Sequence, residues 1–547
     1  MTASRAVERD DEAQAPLLPL AGDPARGRTR RVPGLPAAAE IVTAFGAAAL
    51  AVQLSRSVRV DPLDRIGQVS GLAALDLQFV LAGLVVLAAC AAASRAGDGV
   101  RRIVGRCAFA AVAGLSTGLV AGGIVLALHG TDWPLFANWG DSGQLIRWAD
   151  DLAAGRGIPA EYPPAVLHVV AGLAEVTGTS SAEALRAVQV SGTAVFGPLA
   201  YLAWRLLLPA GWALAITLLA AFPLLEPYKP YTTVVLVVLV PVLVVLLSAL
   251  RRAATLSWAR IAVVGPACGI SMGVLFVVYS GWFVWSAPGA VVAAGLLLPW
   301  RTAALRGLAL LGLALAGLAA VALPHLVGLL SAVGEVQDRY FYFDTSVEPA
   351  YIAMWRNDLP GDVGPWPPPG ELAGVGVFTL LLVVGLGAAV ALAGRRTTVL
   401  VVALLMAGAW VLRFSFAARM YETQSVQLYP RTTVEILFCL VVLSVLAVRH
   451  GLARLPRPVV APPSAPPPAG SPSTPVTLGV LAAALLLALS MGSSLADRYL
   501  PRDDGSTALL AYVAQLVRQP DGTCPDFGPG CAADPGELLS RDGRTDD

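Results

Sequence analysis

The chain has 547 residues, 56% hydrophobic and only 14% charged, with a mean hydropathy of +0.69. A soluble globular domain carries about 25% charged residues, so the composition excludes that class and points to a polytopic membrane protein whose helices satisfy their own backbone groups. A formal charge of +1 argues against a nucleic-acid partner.

Residues 1–34 are polar, with acidic residues ahead of any apolar core, and read as a disordered cytoplasmic N-terminus rather than a signal peptide. Arginine clusters at 26–31, 95–106, 251–260, 301–306, 394–396 and 449–458 set the inside face. Spans that honour them are 35–54, 71–94, 107–129, 184–206, 209–226, 230–250, 261–279, 281–299, 307–330, 372–393, 397–414, 432–448 and 476–495. The apolar stretch 163–178 has about 16 residues, short of the ~20 a span needs. Counting it as a span inverts every later loop, so it reads as a re-entrant or interfacial helix. The predicted fold is therefore an all-α membrane domain over 35–495, of about 13 spans, with the N-terminus inside. A Pro-rich cytoplasmic linker, 459–475, lies within it, and an extracytoplasmic tail, 496–547, follows. No convincing internal repeat is visible. Cys90, Cys107, Cys268 and Cys439 lie in or beside apolar runs and read as packing residues. Glu40 and Asp76 are carboxylates within or at the ends of such runs.

The first long outer loop contains GDSGQLIRWADDL at 140–152. Leu145, Trp148 and Leu152 recur on one helical face. Asp141 stands where an N-cap would, with Gln144 three residues on, a capping-box spacing. An amphipathic helix at the bilayer surface, with Trp139 and Trp148 at headgroup depth, fits the pattern. Asp141 then has two readings, a helix cap or a general base at the membrane–water boundary. Asp150 and Asp151 read as a solvated face. EYPP at 161–164 turns the chain before the short apolar segment.

A membrane-embedded core, an acidic motif in the first outer loop and a following YPP resemble GT-C glycosyltransferases, which use polyprenyl-phosphate sugars. More narrowly, the chain is similar to the actinobacterial arabinofuranosyltransferases that prime cell-wall galactan. That family carries a Gly-Asp-Gln-x-x-Arg-like motif before Tyr-Pro-Pro. Gly140, Asp141, Tyr162, Pro163 and Pro164 match it, whereas Gln144 and Arg147 match with a shifted spacing. The family often has a larger outer C-terminal domain associated with acceptor binding, and here about 50 residues follow the last span.

Further along, EPYKPY at 226–231 holds Lys229, the one lysine of the chain, between Tyr228 and Tyr231. It suits a donor phosphate or an anchor to lipid headgroups. The loop 334–371 carries Tyr340, Tyr342, Tyr351, Trp355 and Trp366, rings that stack on sugars or anchor at the interface. Asp338 and Asp344 could hold a divalent metal, but no spacing there singles out a site, and the sequence shows no cofactor requirement. The segment 413–431 places Arg413, Arg419 and Arg431 on or near the outer face, against the positive-inside trend, where Arg419 and Arg431 suit a phosphate. Four scattered histidines suggest no metal site. CPDFGPGC at 524–531 reads as a disulfide between Cys524 and Cys531, on the oxidising side of the membrane.

The resemblance implies a multi-pass enzyme of the bacterial plasma membrane with an extracytoplasmic active site. It would transfer arabinofuranose from a decaprenyl-phosphate donor to a galactan-like glycan with inversion. Asp141 would be the base, and Lys229, Arg419 and Arg431 would hold the phosphate. Gln144, Arg147, Tyr162, Tyr340, Trp355 and Trp366 would contact sugar. The alternatives are a polyprenyl-phosphate mannosyltransferase and a lipid-linked sugar transporter or flippase.

Overall fold

The computed structural model describes residues 35–332, 371–372, 375–423, 431–455, 474–504, 506–528 and 530–532. These are almost wholly helical, with one two-residue antiparallel pairing, Glu371–Leu372 against Val375–Gly376. In chain order the helices are α1 Leu35–Ser55, α2 Arg65–Ala93, α3 Asp98–Ala127, α4 Gly140–Ala153, α5 Pro164–Thr177, α6 Ser181–Arg205 and α7 Ala210–Ile216. There follow α8 Pro230–Arg251, α9 Trp258–Val278, α10 Gly281–Leu297, α11 Ala304–Ser331, α12 Val377–Ala393, α13 Thr397–Thr423, α14 Arg431–Arg454, α15 Thr474–Asp497 and α16 Leu509–Leu516. Each apolar run assigned as a span coincides with one of these helices. Among the described residues, nine helices are long and apolar enough to cross a bilayer. α5, α7 with its extension to Leu224, α10 and α12 are shorter apolar helices. Leu77, Val85, Val291, Leu296, Leu315 and Leu381 are exposed large apolar side chains on four helices, as expected of a multi-pass protein whose solvent is lipid.

The core is organised by α3, buried along most of its length. Gly114, Gly118 and Gly122 form a stripe facing α1, and a Cβ at Gly114 would overlap the Ala44 carbonyl. Small residues at this spacing let two helix backbones approach closely, so packing replaces the missing hydrophobic drive between helices in lipid. α6 and α15 pack on the other sides of α3.

The helix ends sort into two polar layers. At one end, Glu40 of α1 accepts from Arg106 Nε at 2.9 Å, Arg205 Nε at 2.6 Å and the Tyr201 hydroxyl at 2.6 Å, tying α1, α3 and α6 together. The arginine-rich loops join each other there, Arg251 bonding the Arg395 carbonyl and Arg306 the Ala254 carbonyl. Glu40 is thus the centre of a structural clamp rather than an isolated carboxylate in a span. Asp76, within α2, accepts from Ser493 of α15 at 2.9 Å. The opposite layer holds α4, the EPYKPY turn, the start of α14 and the tail.

Candidate functional site

Two stretches far apart in sequence meet here. α7 continues through a wider turn, 217–221, and a tight one, 222–224, to Leu224, so EPYKPY follows at the end of the bundle. Pro230 then starts α8 at its first position, where a missing N–H costs nothing. The loop 128–139 delivers α4 from the other side. Gly140 has φ +51°, and a Cβ there would stand 2.8 Å from the Phe136 ring and 3.2 Å from the Tyr228 hydroxyl. A Cβ on Gly143 would overlap the Asn138 carbonyl. Both glycines of GDSG are required by close approach.

Lys229 Nζ forms an ion pair with Asp141 Oδ2, and the two side chains are 21% and 36% exposed, open to a ligand from outside. The ammonium also sits 5.5 Å from the centre of the Tyr228 ring. The Tyr228 hydroxyl accepts from the Ser142 amide at 3.2 Å. Burial, with the Asp141 carboxylate beside it, pushes that hydroxyl up to about 12. Glu226 shares the field. Burial raises its carboxyl above the usual range, Lys229 and Arg431 pull it back, and Asp141 pushes it further up. The Arg431 guanidinium bonds the Tyr279 hydroxyl and lies 5.6 Å from that ring's centre. The Tyr499 hydroxyl, at the end of the last apolar helix, is raised by burial and by Glu226.

Gln189 of α6, 1% exposed, fixes the two stretches to each other. Its Oε1 accepts from the Leu135 amide at 2.8 Å and its Nε2 donates to the Tyr228 carbonyl at 3.1 Å. Ser142 Oγ donates to the Leu135 carbonyl at 2.7 Å. Beside this, the Tyr162 and Tyr231 hydroxyls are 2.8 Å apart, and Tyr162 packs on Trp148 with ring centres 4.8 Å apart.

Of the residues singled out from sequence, Asp141 and Lys229 are in direct contact. Arg431 acts on the same carboxyl cluster through Glu226, and Tyr162 lies one hydroxyl from Tyr231. Gln144 is half-buried one turn beyond Asp141, and Arg147 and Arg419 are exposed. Tyr340, Trp355 and Trp366, with Asp338 and Asp344, lie outside the described residues. Among the described residues no group of three His, Cys, Asp or Glu side chains stands ready for a metal.

Two expectations are corrected. Asp141 is not a helix cap and forms no capping box with Gln144. Trp139 occupies the cap position without a side-chain bond, and Asp141 falls in the first turn, turned to Lys229 instead. The apolar face of α4 does not rest on lipid, because Leu145, Trp148, Ala149 and Leu152 pack with Leu167, Val170, Leu185 and Tyr231 of α5, α6 and α8. Asp150 and Asp151 have partners in Ser181 at 2.6 Å and Arg156 at 2.7 Å. Cys524 and Cys531 are joined, with Cα atoms 5.6 Å apart.

Glu226 and Gln189 were not singled out from sequence, and Tyr228 only as a ring beside Lys229. The signal was present for Gln189, an amide inside an otherwise apolar span, and for Glu226, three residues before Lys229.

No known protein family matches the sequence, and no curated protein matches it.

Proposed function

We propose that the chain is an inverting membrane glycosyltransferase of the GT-C arabinofuranosyltransferase type. The observation that carries this reading is the Asp141–Lys229 pair, a carboxylate and an ammonium brought from separate motifs to one end of an apolar helical bundle. In the proposed reaction the donor phosphate competes for Lys229 and frees the Asp141 carboxylate. Asp141 then takes the proton of an acceptor hydroxyl as that oxygen attacks the anomeric carbon. The carbon–oxygen bond to the phosphate breaks and its electron pair leaves with the lipid phosphate, steadied by Lys229 and Arg431. The donor is read as decaprenyl-phosphoryl arabinofuranose, the acceptor as a galactan-like glycan, and the site as facing outward from a bacterial plasma membrane. Arg419 belongs to the phosphate set on sequence grounds alone.

The test is transfer of radiolabelled sugar to a short galactan in membranes carrying the protein, with arabinosyl and mannosyl donors run side by side. Arabinosyl product is expected. Mannosyl product alone would replace the sugar but keep the class, and no product from either donor would remove the transferase reading.

A further inference from the structure

The loop that leads to Asp141 is held from two sides. From α6, Arg186 donates to the Leu128 carbonyl at 3.0 Å and to the Thr131 carbonyl, and Gln189 takes the Leu135 amide. From the other side the C-terminal tail supplies the partners. Gln515, fully buried, donates to the carbonyls of Ala127 and His129, each at 3.0 Å. Thr131 Oγ1 donates to the Ala514 carbonyl at 2.9 Å, and the Asp132 amide to Gln519 Oε1 at 2.9 Å. Trp133 Nε1 reaches the Arg518 carbonyl at 3.1 Å, and the Phe136 amide the Leu510 carbonyl at 2.7 Å. Inside the disulfide loop, Asp526 donates its amide to the Gly130 carbonyl at 2.9 Å, and Phe527 packs on His129 with ring centres 5.4 Å apart.

The tail in turn is folded on itself. The Arg518 amide donates to the Ala532 carbonyl at 2.8 Å and the Ala532 amide to the Leu516 carbonyl at 3.0 Å, beside the Cys524–Cys531 bond. What it grips is not a relaxed loop. Phe136 and Ala137 have φ of 72° and 47°, a left-handed conformation that non-glycine residues keep only when surroundings impose it. Four residues after Ala137 comes Asp141.

We propose that the tail is a redox-sensitive clasp. With Cys524 and Cys531 joined, it holds the Asp141 helix in register with Lys229, and reduction releases that register. A dithiol reductant breaks the sulfur–sulfur bond, is itself oxidised to a disulfide, and passes two electrons and two protons to give two cysteine thiols. The carboxylate and the ammonium need no substrate to be in register, so the inference stands or falls separately from the proposed reaction.

The single lysine supplies the readout. In the full chain, purified in detergent, a carbodiimide activates the Asp141 carboxyl, and the Lys229 amine closes on it as an amide with loss of water. Peptide mass spectrometry identifies the product. In oxidised protein the amide forms. After dithiothreitol, or in the Cys524→Ser/Cys531→Ser variant, its yield falls about fivefold or more, as for a local segment released from its packing. Reoxidation of the wild type restores it. Gln515→Leu, which keeps the disulfide but loses the two carbonyl contacts, lowers the yield in the same direction. Equal yields before and after reduction would overturn the clasp. So would a fall that reoxidation does not reverse, since that is collapse rather than release, and so would absence of the amide in oxidised protein.

Discussion

Gln189→Leu isolates the contact that joins the two halves of the site. The side chains are similar in volume, so α6 keeps its packing, but the hydrogen bonds to the Leu135 amide and the Tyr228 carbonyl vanish, with a longer one to Ser142 Oγ at 3.5 Å. The Leu135 amide, on a residue with 0% exposure, loses its partner at 2.8 Å. A buried donor left unmade costs about 1–3 kcal/mol, and the lost bond to the half-buried Tyr228 carbonyl adds about 1 kcal/mol, so the segment is weakened by about 2–4 kcal/mol. The loss is local, because α3 and α8 are buried in the main core of the bundle along most of their length, away from the lost bonds. Hydrogen–deuterium exchange over 133–140 should therefore accelerate by about 30- to 1,000-fold, while peptides of α3 and α8 keep their rates. The carbodiimide amide between Asp141 and Lys229 should weaken in parallel. Unchanged exchange at 133–140 would refute the bridging role. Equal acceleration through α3 and α8 would refute its local character.

Glu226 supplies a pH dependence. Its folded-state affinity for a proton is raised above the ordinary carboxyl value of 4.5, so its stabilising contribution is full below that value and is lost as pH rises through the raised one. Thermal unfolding against pH should show this loss in the wild type and not in Glu226→Gln. A parallel slope in the variant would assign the loss elsewhere. Glu40→Gln at the opposite end leaves Arg106 and Arg205 without their carboxylate and should cost about 3 kcal/mol, near the low end for a buried pair because Arg106 is partly exposed, read as a lower Tm. The Asp141–Lys229 amide should form as before in that variant; its loss would mean that the two polar layers are coupled. Gly143→Ala has to push its Cβ against the Asn138 carbonyl, so the loop before α4 must shift and the amide yield should drop at least about fivefold. Wild-type yield would show that the loop gives way freely.

The helices were legible in sequence because an apolar run of span length has one stable solution in lipid, and the arginine clusters marked which ends lie together. Hence Arg251 meets Arg395 and Arg306 meets Ala254 on the arginine-rich side. The site was legible only in pieces. Asp141 and Lys229 were each chosen for their chemistry, but 88 positions separate them and no periodicity links them. Their contact comes from α6, whose Gln189 looks in sequence like one amide in an apolar run. The capping-box spacing misled because local spacing cannot tell an N-cap from a first-turn residue; with Gly140 at positive φ the helix starts there, two residues earlier than an N-cap at Asp141 requires. The amphipathic pattern of α4 gave the correct apolar face but not its partner, since α5 and α6 bury a leucine stripe as well as lipid does. The tail was legible only as a cysteine pair because its contacts to 127–137 are largely to backbone groups, which no side-chain pattern records.

The most direct test of the proposed chemistry is single-turnover transfer by purified wild-type and Asp141→Asn protein reconstituted in proteoliposomes, with decaprenyl-phosphoryl arabinose as donor and galactan as acceptor. If Asp141 is the base, the variant still binds donor through Lys229 but its rate of transfer falls by about 10²–10⁴. Transfer by Asp141→Asn at the wild-type rate would contradict it.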